Sequence, residues 1–376
     1  GGNMRVLMTG GGTGGHINPA IAIAKTRLKN EPDSEIAFVG TPRGMENRLV
    51  PKEGFRLYHI DMRGLKRSLS PSNLRTLGMM ITSVGKAKKL IRQFRPDVCI
   101  GTGGYVCWPL IKAASEMGIP TALHESNALA GVAVKLLAPH VDIVFTNFEQ
   151  TASQIKKCRK IVHVGNPLKN GFAEITHGEA RRKLGFEGKY RFSVLSCGGS
   201  LGAGKINSAV LEMMAEYSSK HPEIHHLHQC GVANYPEARK EFDRLGLDRY
   251  PNLELVDYIY DMPVRLAAAD VVINRAGAMT ISELAALGKP AILIPSPNVT
   301  DNHQYKNAKV LADAGAAVMI GEKDLSAGVL ARETDALLTD REKRRVLSEN
   351  FGRFAIRNAD FLIYNEIKNL VKSKKM

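Results

Sequence analysis

The sequence predicts an α/β protein built from two Rossmann-like, doubly wound halves, each a parallel sheet joined by crossover helices. Three observations carry this. Short β-rich runs alternate with helical ones along the whole sequence, as parallel strands with helical crossovers require. Two glycine-rich loops, Gly10-Gly11-Gly12-Thr13-Gly14-Gly15-His16 and Gly198-Gly199-Ser200-Leu201-Gly202-Ala203-Gly204, each follow a short apolar run and open a helix. At 376 residues the chain also exceeds one ordinary core, so two domains are expected. Helix starts reached through glycines present unpaired N–H groups and the positive end of the helix dipole, which suits anions. Two such loops imply two halves facing across a cleft that handles a phosphorylated molecule.

Taken in order, the first half carries strands near Arg5–Thr9, Glu35–Val39, Arg56–Ile60, Val98–Thr102, Thr121–Glu125, Ile143–Thr146 and Ile161–Val164. Each is a short apolar run bounded by turn or helix signals, as a strand buried on both faces reads. Gly165-Asn166-Pro167 closes this series, and the polar stretch Lys169 to Lys189, with little strand pattern, is expected to hold the linker. The second half carries strands near Arg191–Cys197, His225–Gln229, Leu253–Val256, Val271–Asn274, Ala291–Pro295 and Ala317–Ile320. The expected domains are 4–168 and 169–350. A closing segment, 351–376, holds a helix from about Gly352 to Lys372 that is expected to pack back on the first domain.

With 44% hydrophobic and 24% charged residues, each half can bury a core. No apolar run reaches the roughly 18 residues that span a bilayer, and the glycines from Gly10 interrupt the opening apolar stretch too early for a signal peptide. Gly1-Gly2-Asn3, ahead of Met4, reads as a cloning scar. Five cysteines without CxxC spacing argue against a disulfide framework and a zinc site, and fit a reducing cytoplasm. The net charge of +15 calls for an anionic partner. From Arg63 to Arg95 there are nine Lys or Arg and no acid, interleaved with Leu65, Leu74, Leu77, Met79, Met80, Ile81, Val84, Leu90, Ile91 and Phe94. A basic amphipathic helix of this kind suits an anionic membrane surface, apolar side down. The alternative is a helix packed on its sheet with a solvated basic rim.

Gly10, Gly12 and Gly15 formally match the dinucleotide fingerprint, which also needs an acid about 20 residues on to close the second strand. That strand ends Phe38-Val39-Gly40-Thr41, with no acid, so a nicotinamide or flavin cofactor is not expected. His16, at the mouth of the loop, titrates near neutrality and is a candidate general base for a hydroxyl bound beside an anion.

Gly11-Gly12-Thr13-Gly14-Gly15-His16, Gly103-Gly104-Tyr105, His124-Glu125-Ser126-Asn127, Gly165-Asn166-Pro167, Gly198-Gly199-Ser200 and Asn274-Arg275-Ala276-Gly277-Ala278-Met279-Thr280-Ile281-Ser282-Glu283 fall in one order along the chain. In that order they resemble the MurG family, the N-acetylglucosaminyltransferases of bacterial peptidoglycan synthesis. The resemblance covers essentially the whole chain from Met4. It implies a GT-B fold and inverting transfer of GlcNAc from UDP-GlcNAc to the MurNAc 4-hydroxyl of lipid I, giving lipid II. It further implies peripheral attachment at the cytoplasmic face of the inner membrane, beside cell-wall synthesis proteins, with no nucleic acid, no cofactor and no metal. The sequence independently lacks an Asp-x-Asp triplet for a diphosphate-bound divalent ion.

Carried over residue by residue, the resemblance gives His16 or Glu125 the catalytic proton. Gly11, Gly12, Gly103, Gly104, Tyr105 and His124 are assigned to the acceptor. Donor contacts fall to Thr13, Gly14, Gly15, Asn127 and Lys169 in or near the first domain. In the second domain they fall to Ser200 and its loop amides, Ile259 (backbone groups, to uracil), Ala278, Met279, Thr280, Glu283 (ribose hydroxyls) and Gln304 (sugar hydroxyls). Two alternatives stay open here: Thr280 and Glu283 also read as a helix capping box, and His124 with Glu125 as a structural pair. The chain departs from the family at Leu168-Lys169, where Val-Arg is usual, so a bidentate contact is lost. It departs again at His303-Gln304, where Gln-Gln is frequent. Another lipid-acceptor GT-B enzyme of the diacylglycerol glycosyltransferase type is the nearest rival, followed by a Rossmann oxidoreductase and a non-catalytic membrane scaffold.

Overall fold

The computed structural model describes residues 4–62, 72–168, 172, 174–198, 203–299 and 302–375, with side chains from residue 78 onward in the third helix. It divides into two compact units, one of Gly1–Lys169 with Ile356–Met376, the other of Asn170–Ala355.

In unit 1 the strands β1 (Arg5–Thr9), β2 (Glu35–Gly40), β3 (Arg56–His59), β4 (Val98–Gly101), β5 (Thr121–Glu125), β6 (Ile143–Thr146) and β7 (Ile161–His163) form one sheet in the order β3-β2-β1-β4-β5-β6-β7. Every pairing is parallel. Helices α1 (Gly14–Asn30), α2 (Glu46–Lys52), α3 (Ser72–Phe94), α4 (Cys107–Glu116) and α5 (Val132–Leu137) join them. Successive strand residues go to opposite faces. Leu7, Cys99 and Leu123 pack with Ile91, Leu110 and Leu137 of α3, α4 and α5, whereas Val6, Met8 and Ile100 pack with Ile17 and Ile21 of α1. Both faces being covered, the strands read as unbroken apolar runs.

Unit 2 repeats the plan. Its strands are β8 (Phe192–Cys197), β9 (Ile224–Gln229), β10 (Leu253–Val256), β11 (Val271–Asn274), β12 (Ala291–Leu293) and β13 (Val318–Met319), ordered β10-β9-β8-β11-β12-β13 and all parallel. Its helices are α6 (His177–Lys183), α7 (Gly204–Glu216), α8 (Tyr235–Arg244), α9 (Met262–Ala268), α10 (Ala278–Leu287), α11 (His303–Asp313), α12 (Ala327–Thr339) and α13 (Arg341–Gly352). In both sheets the order reverses beside the first strand of the unit, and ligands collect at the carboxyl ends of strands at such a switch point. The first glycine loop follows β1 at its switch point, and β8, which precedes the second loop in sequence, ends at the other.

The strand expectations match in number, order and, within a residue or two, bounds. The stretch expected to hold the linker also carries a helix. Inside Lys169 to Lys189 lies α6, closed by a capping box in which Thr176 accepts from Glu179 N–H and Glu179 reaches back to Thr176 N–H. Ala180, Phe186 and Tyr190 then pack against Ala267 and Ala268 of unit 2. A strand-seeking reading passes over a seven-residue polar helix. The chain also stays in unit 2 through α13 and returns at Ile356. The last helix, α14 (Ala359–Lys375), places Ile363, Ile367 and Val371 on one stripe in the α1-side core. Tyr364 Oη donates to Glu31 Oε1 at 2.7 Å, and Lys374 Nζ to Asp142 Oδ2 at 2.8 Å.

Strand β9 is wholly buried although it carries three histidines. Ser218 Oγ lies 2.9 Å from His226 Nδ1, His226 Nε2 3.0 Å from Ser196 Oγ, and Ser196 Oγ 2.8 Å from His228 Nδ1. His228 Nε2 then donates to Asn207 Oδ1 at 2.9 Å, and Asn207 Nδ2 to Cys230 O at 3.0 Å. This chain ties the first turn of α7 to the end of β9 and so fixes the helix start that follows the second glycine loop.

Burial favours neutral imidazole, so the values of His124 and His228 fall to about 4, and that of His226 falls well below the usual 6.5. The unfolded chain binds more protons than the folded one between those limits. Stability is therefore full above about pH 6.5 and declines as pH falls towards 4. At pH 5, His124 and His228 should each cost about 2 kcal/mol, read as a lower urea midpoint than at pH 7.5 and reduced in His228→Gln.

Candidate active site

The first glycine loop lies where β1 and β4 diverge, with the chain after β4 packed against it. Thr102 Oγ1 donates to His16 O at 2.6 Å, and a Cβ on Gly10 would sit 2.0 Å from that hydroxyl oxygen. Gly12 (φ +83°), Gly103 (φ +114°) and Gly104 (φ +83°) occupy left-handed backbone conformations that favour glycine. A Cβ on Gly103 would lie 2.7 Å from His16 Cδ2 and 3.0 Å from Nε2, and one on Gly104 2.6 Å from Gly11 O. Gly103 and Gly104, carried over as acceptor contacts, thus have a local reason to be glycine: they admit the imidazole.

His16 is the third residue of α1 and half-buried. Its Nδ1 lies 3.2 Å from Gly11 O and 3.5 Å from Thr13 Oγ1. A carbonyl can only accept, so Nδ1 carries the proton and the basic lone pair belongs to Nε2. Thr13, the N-cap, makes no side-chain cap, and the first turn of α1 has no acid. The amides of Gly14 and Gly15 therefore keep the anion-attracting character of a helix start. Tyr105, 39% exposed, has its phenol pushed up by partial burial and the Glu46 charge.

At the end of β5 both candidate residues are buried. His124 is fully buried: its Nε2–H donates to Gly165 O at 2.8 Å, and its Nδ1 lies 3.4 Å from Ser126 Oγ. It supports the chain after β7 and presents no polar atom to an acceptor. Glu125 is buried too; Oε1 accepts from Asn127 N–H at 3.0 Å and Oε2 from Gly131 N–H at 2.8 Å, just ahead of α5. Burial pushes its carboxyl up while these bonds oppose the rise. Both oxygens hold backbone, fixing the loop that leads into α5. Asn127, half-buried, also bonds Glu125 through its side chain.

In unit 2, Ser200 lies outside the described residues, as does Lys169. Helix α7 opens at Gly204 without an acid in its first turn, and the exposed Lys205 reaches to 3.9 Å from Glu322 Oε1. After β11, Arg275 Nη1 donates to Glu322 Oε2 at 2.7 Å and to Ile294 O at 3.2 Å. Helix α10 is capped by the extended backbone of Gly277, so Ala278, Met279 and Thr280 are its first three residues. Thr280 therefore lies inside the helix, and the capping-box alternative for Thr280 and Glu283 does not form. Gln304 Oε1 accepts from Ser296 N–H at 2.9 Å and Ala276 N–H at 3.3 Å, fastening two loops and leaving its amide donors for other use. Ile259 N–H already donates to Gln229 Oε1 at 2.8 Å, so only its carbonyl side fits the uracil expectation. His303 opens α11. Among the described residues no group of three or more His, Cys, Asp or Glu is arranged to hold a metal ion.

The glycosyltransferase family 28 N-terminal domain matches residues 6–146, and the family 28 C-terminal domain matches residues 193–360. The chain belongs to glycosyltransferase family 28. Among its curated family 28 relatives, the UDP-N-acetylglucosamine--N-acetylmuramyl-(pentapeptide) pyrophosphoryl-undecaprenol N-acetylglucosamine transferase of Acetivibrio thermocellus is 44% identical over 371 residues, 99% of each chain. The protein of the same name from Caldanaerobacter subterraneus is 42% identical, covering 98% of this chain and 100% of its own. The crystal structure of Acinetobacter baumannii MurG matches with a TM-score of 0.77 at 28% identity, over 97% of this chain and 99% of that one. The MurG resemblance and the GT-B fold both stand.

Sequence reasoning missed three charged residues of this family 28 chain. Glu46, 1% exposed, bonds the first glycine loop at Gly12; the sequence signal was an acid preceded by Gly40 and Gly44 just after β2. Arg275, within the Asn274–Glu283 motif but given no role there, and Lys205, just after the second glycine loop, both pair with Glu322.

The glycine geometry is testable. Gly103→Ala meets both a left-handed φ and the His16 ring, and should cost about 1–3 kcal/mol. Gly14→Ala, whose Cβ would meet only Asn18 Nδ2 at 3.6 Å, should change stability by about 1 kcal/mol or less. Denaturant unfolding of both variants measures the difference.

Proposed function

We propose that this chain transfers GlcNAc from UDP-GlcNAc to the MurNAc 4-hydroxyl of lipid I, forming lipid II with inversion and without a metal. The observation that carries the reading is the 44% identity, over 99% of both chains, to a relative named for that transfer. The geometry of each unit supports a division of roles. Unit 1 binds the acceptor and supplies the base: His16 Nε2 takes the proton of the 4-hydroxyl as its oxygen attacks C1 of GlcNAc. The bond from C1 to the β-phosphate oxygen breaks, and UDP leaves with the electron pair. The Gly11–Gly12 loop, whose Gly12 N–H is given to Glu46, and the chain at Gly103–Tyr105 contact the acceptor diphosphate and sugar. Thr13, Gly14, Gly15 and Asn127 contact the transferred sugar.

Unit 2 binds the donor. Charge growing on the leaving diphosphate meets the starts of α7 and α10, with Ala278, Met279 and Thr280 supplying amides, Ser200 a hydroxyl, and Lys205 and Arg275 positive charge. Lys169 adds a further cation. Glu283 accepts from both ribose hydroxyls, a pairing suited to one carboxylate. The Ile259 carbonyl reads the uracil edge, and the Gln304 amide donates to GlcNAc. In this role the chain works peripherally at the cytoplasmic face of the bacterial inner membrane, with cell-wall synthesis proteins as partners. Ile81 of α3 is 76% exposed beside the exposed Lys86 and Lys89, whereas Met79 and Met80 are half-buried and Ala87, Ile91 and Phe94 face the core. No helix among the described residues is long and apolar enough to cross a membrane.

Transfer of labelled GlcNAc to a short-chain lipid I analogue in EDTA tests the reading. Wild type should be active, and His16→Ala should lose about 10²–10⁴-fold in kcat with UDP-GlcNAc binding intact. Glu283→Gln should instead raise the UDP-GlcNAc KM roughly tenfold or more. No wild-type transfer would favour the diacylglycerol glycosyltransferase reading, and EDTA-sensitive transfer would overturn metal independence. Ile81→Glu should weaken binding to anionic liposomes without unfolding the protein; unchanged binding would rule out α3 as the contact.

A further inference from the structure

Between Glu46 and His16 lies one peptide unit, and it bonds to both. Glu46 Oε1 accepts from Thr41 N–H at 2.9 Å and from Thr41 Oγ1 at 3.0 Å, while Oε2 accepts from Gly12 N–H at 3.3 Å. The carbonyl of that same peptide, Gly11 C=O, accepts from His16 Nδ1–H at 3.2 Å. The niche for the carboxylate is made by three glycines. A Cβ on Gly44 would fall 1.9 Å from its Oε2, one on Gly40 2.5 Å from its Cγ, and one on Gly11 3.0 Å from the carboxyl group. Thr41 and Glu46 are both buried, so this arrangement is shielded from water.

We propose that Glu46 is the positioning carboxylate of His16, acting through the Gly11–Gly12 peptide. The inference rests on His16 being the base of the transfer. A carboxylate at the N–H end polarises the amide, which makes its carbonyl a stronger acceptor at the other end. The stronger bond fixes the tautomer with hydrogen on Nδ1, aims Nε2, and stabilises the imidazolium formed when Nε2 takes the hydroxyl proton. No proton moves to Glu46; the Nδ1 hydrogen stays where it is throughout. The role is that of the acid behind the histidine in a hydrolytic triad, with a peptide group inserted between them. The arrangement also removes Glu46 from competition for a nucleotide ribose, because both its oxygens hold the protein's own chain.

Other charges near the pair are Arg43, which donates to Asp61 at 2.6 Å, and the Tyr105 phenol, which senses Glu46, Arg43 and Asp61. On the far side of α2, His59 Nε2 bonds Asn47 Oδ1 at 2.6 Å. Arg43→Ala and His59→Gln serve as controls for their share of any pH effect.

Glu46→Gln keeps the shape and removes the charge. It should lower kcat roughly tenfold or more, as loss of an outer-shell carboxylate does elsewhere, leave the UDP-GlcNAc KM unchanged, and move the acid limb of the pH–rate profile to lower pH. Glu46→Asp, which keeps the charge, should retain more of the limb than Glu46→Gln. In case these variants misfold, the wild type supplies a direct readout by NMR. The Gly12 amide proton should resonate downfield, be protected from exchange, and titrate with the His16 midpoint. A Gly12 amide that exchanges freely or ignores His16, or a Glu46→Gln enzyme with an unmoved acid limb, overturns the inference. If that happens while His16→Ala is inactive, the base assignment survives it. If His16→Ala keeps its rate and its acid limb, the base assignment itself fails and this inference falls with it.

Discussion

Where β1 and β4 separate, three stretches of backbone approach one another more closely than any side chain would permit, and the site in unit 1 depends on that crowding. Gly10 abuts Thr102, Gly104 abuts the Gly11 carbonyl, and Gly40 and Gly44 enclose the Glu46 carboxylate. A single Cβ at these points would part segments that hydrogen bonds hold together. The glycines are thus chiefly a packing device. They let a helix start, an imidazole and a buried acid share one small volume, and the anion-attracting amides result from that arrangement.

Unit 2 uses the same topology with different means. Its strand order repeats that of unit 1 around β8 and β11, yet the start of α10 is reached through one extended glycine rather than a crowded turn. Among the described residues, side chains fasten the loop before α10. Gln304 ties Ala276 to Ser296, Asn307 Nδ2 donates to Ala276 O at 3.2 Å, and the Arg275–Glu322 pair braces the loop from the side. Lys289 is buried with its amine donating to Ala267 O at 2.6 Å and Ala269 O at 2.8 Å, where burial brings its value down to about 8. It satisfies carbonyls at the carboxyl end of α9, where a cation suits the helix dipole. The net positive charge of the chain is compatible with anionic partners for both units, but the charges inside each unit serve mainly to hold loops.

Four buried titratable groups share one pattern, whereas the buried His225 leaves its Nδ1 without a hydrogen-bond partner among the described residues. His124, Glu125, His226 and His228 each give their polar atoms to the protein's own backbone or to neighbouring side chains. Burial without such partners would be costly, so a buried histidine or acid at the end of a strand is first a fastening. His16 is half-buried, with Nδ1 oriented by the Gly11 carbonyl and its ring accommodated by the absence of a Cβ at Gly103.

The sequence by itself determined the strands, the parallel α/β alternation, the two glycine loops and, through six motifs in order, the family. Those signals are local: apolar runs, glycine spacing and helix starts are properties of neighbouring residues. Only the tertiary structure decided what the polar side chains do, because their partners lie far along the chain. Glu46 meets Gly12 across 34 residues, His124 meets Gly165 across 41, and Ile259 meets Gln229 across 30. No periodicity encodes those meetings. Glu125 and His124, marked by their motif, bond the backbone around them, and Glu46, which fitted no motif, bonds the peptide that the candidate base also bonds. A hydrogen bond needs its two atoms within about 3.5 Å, and only the folded sheet brings such distant residues that close.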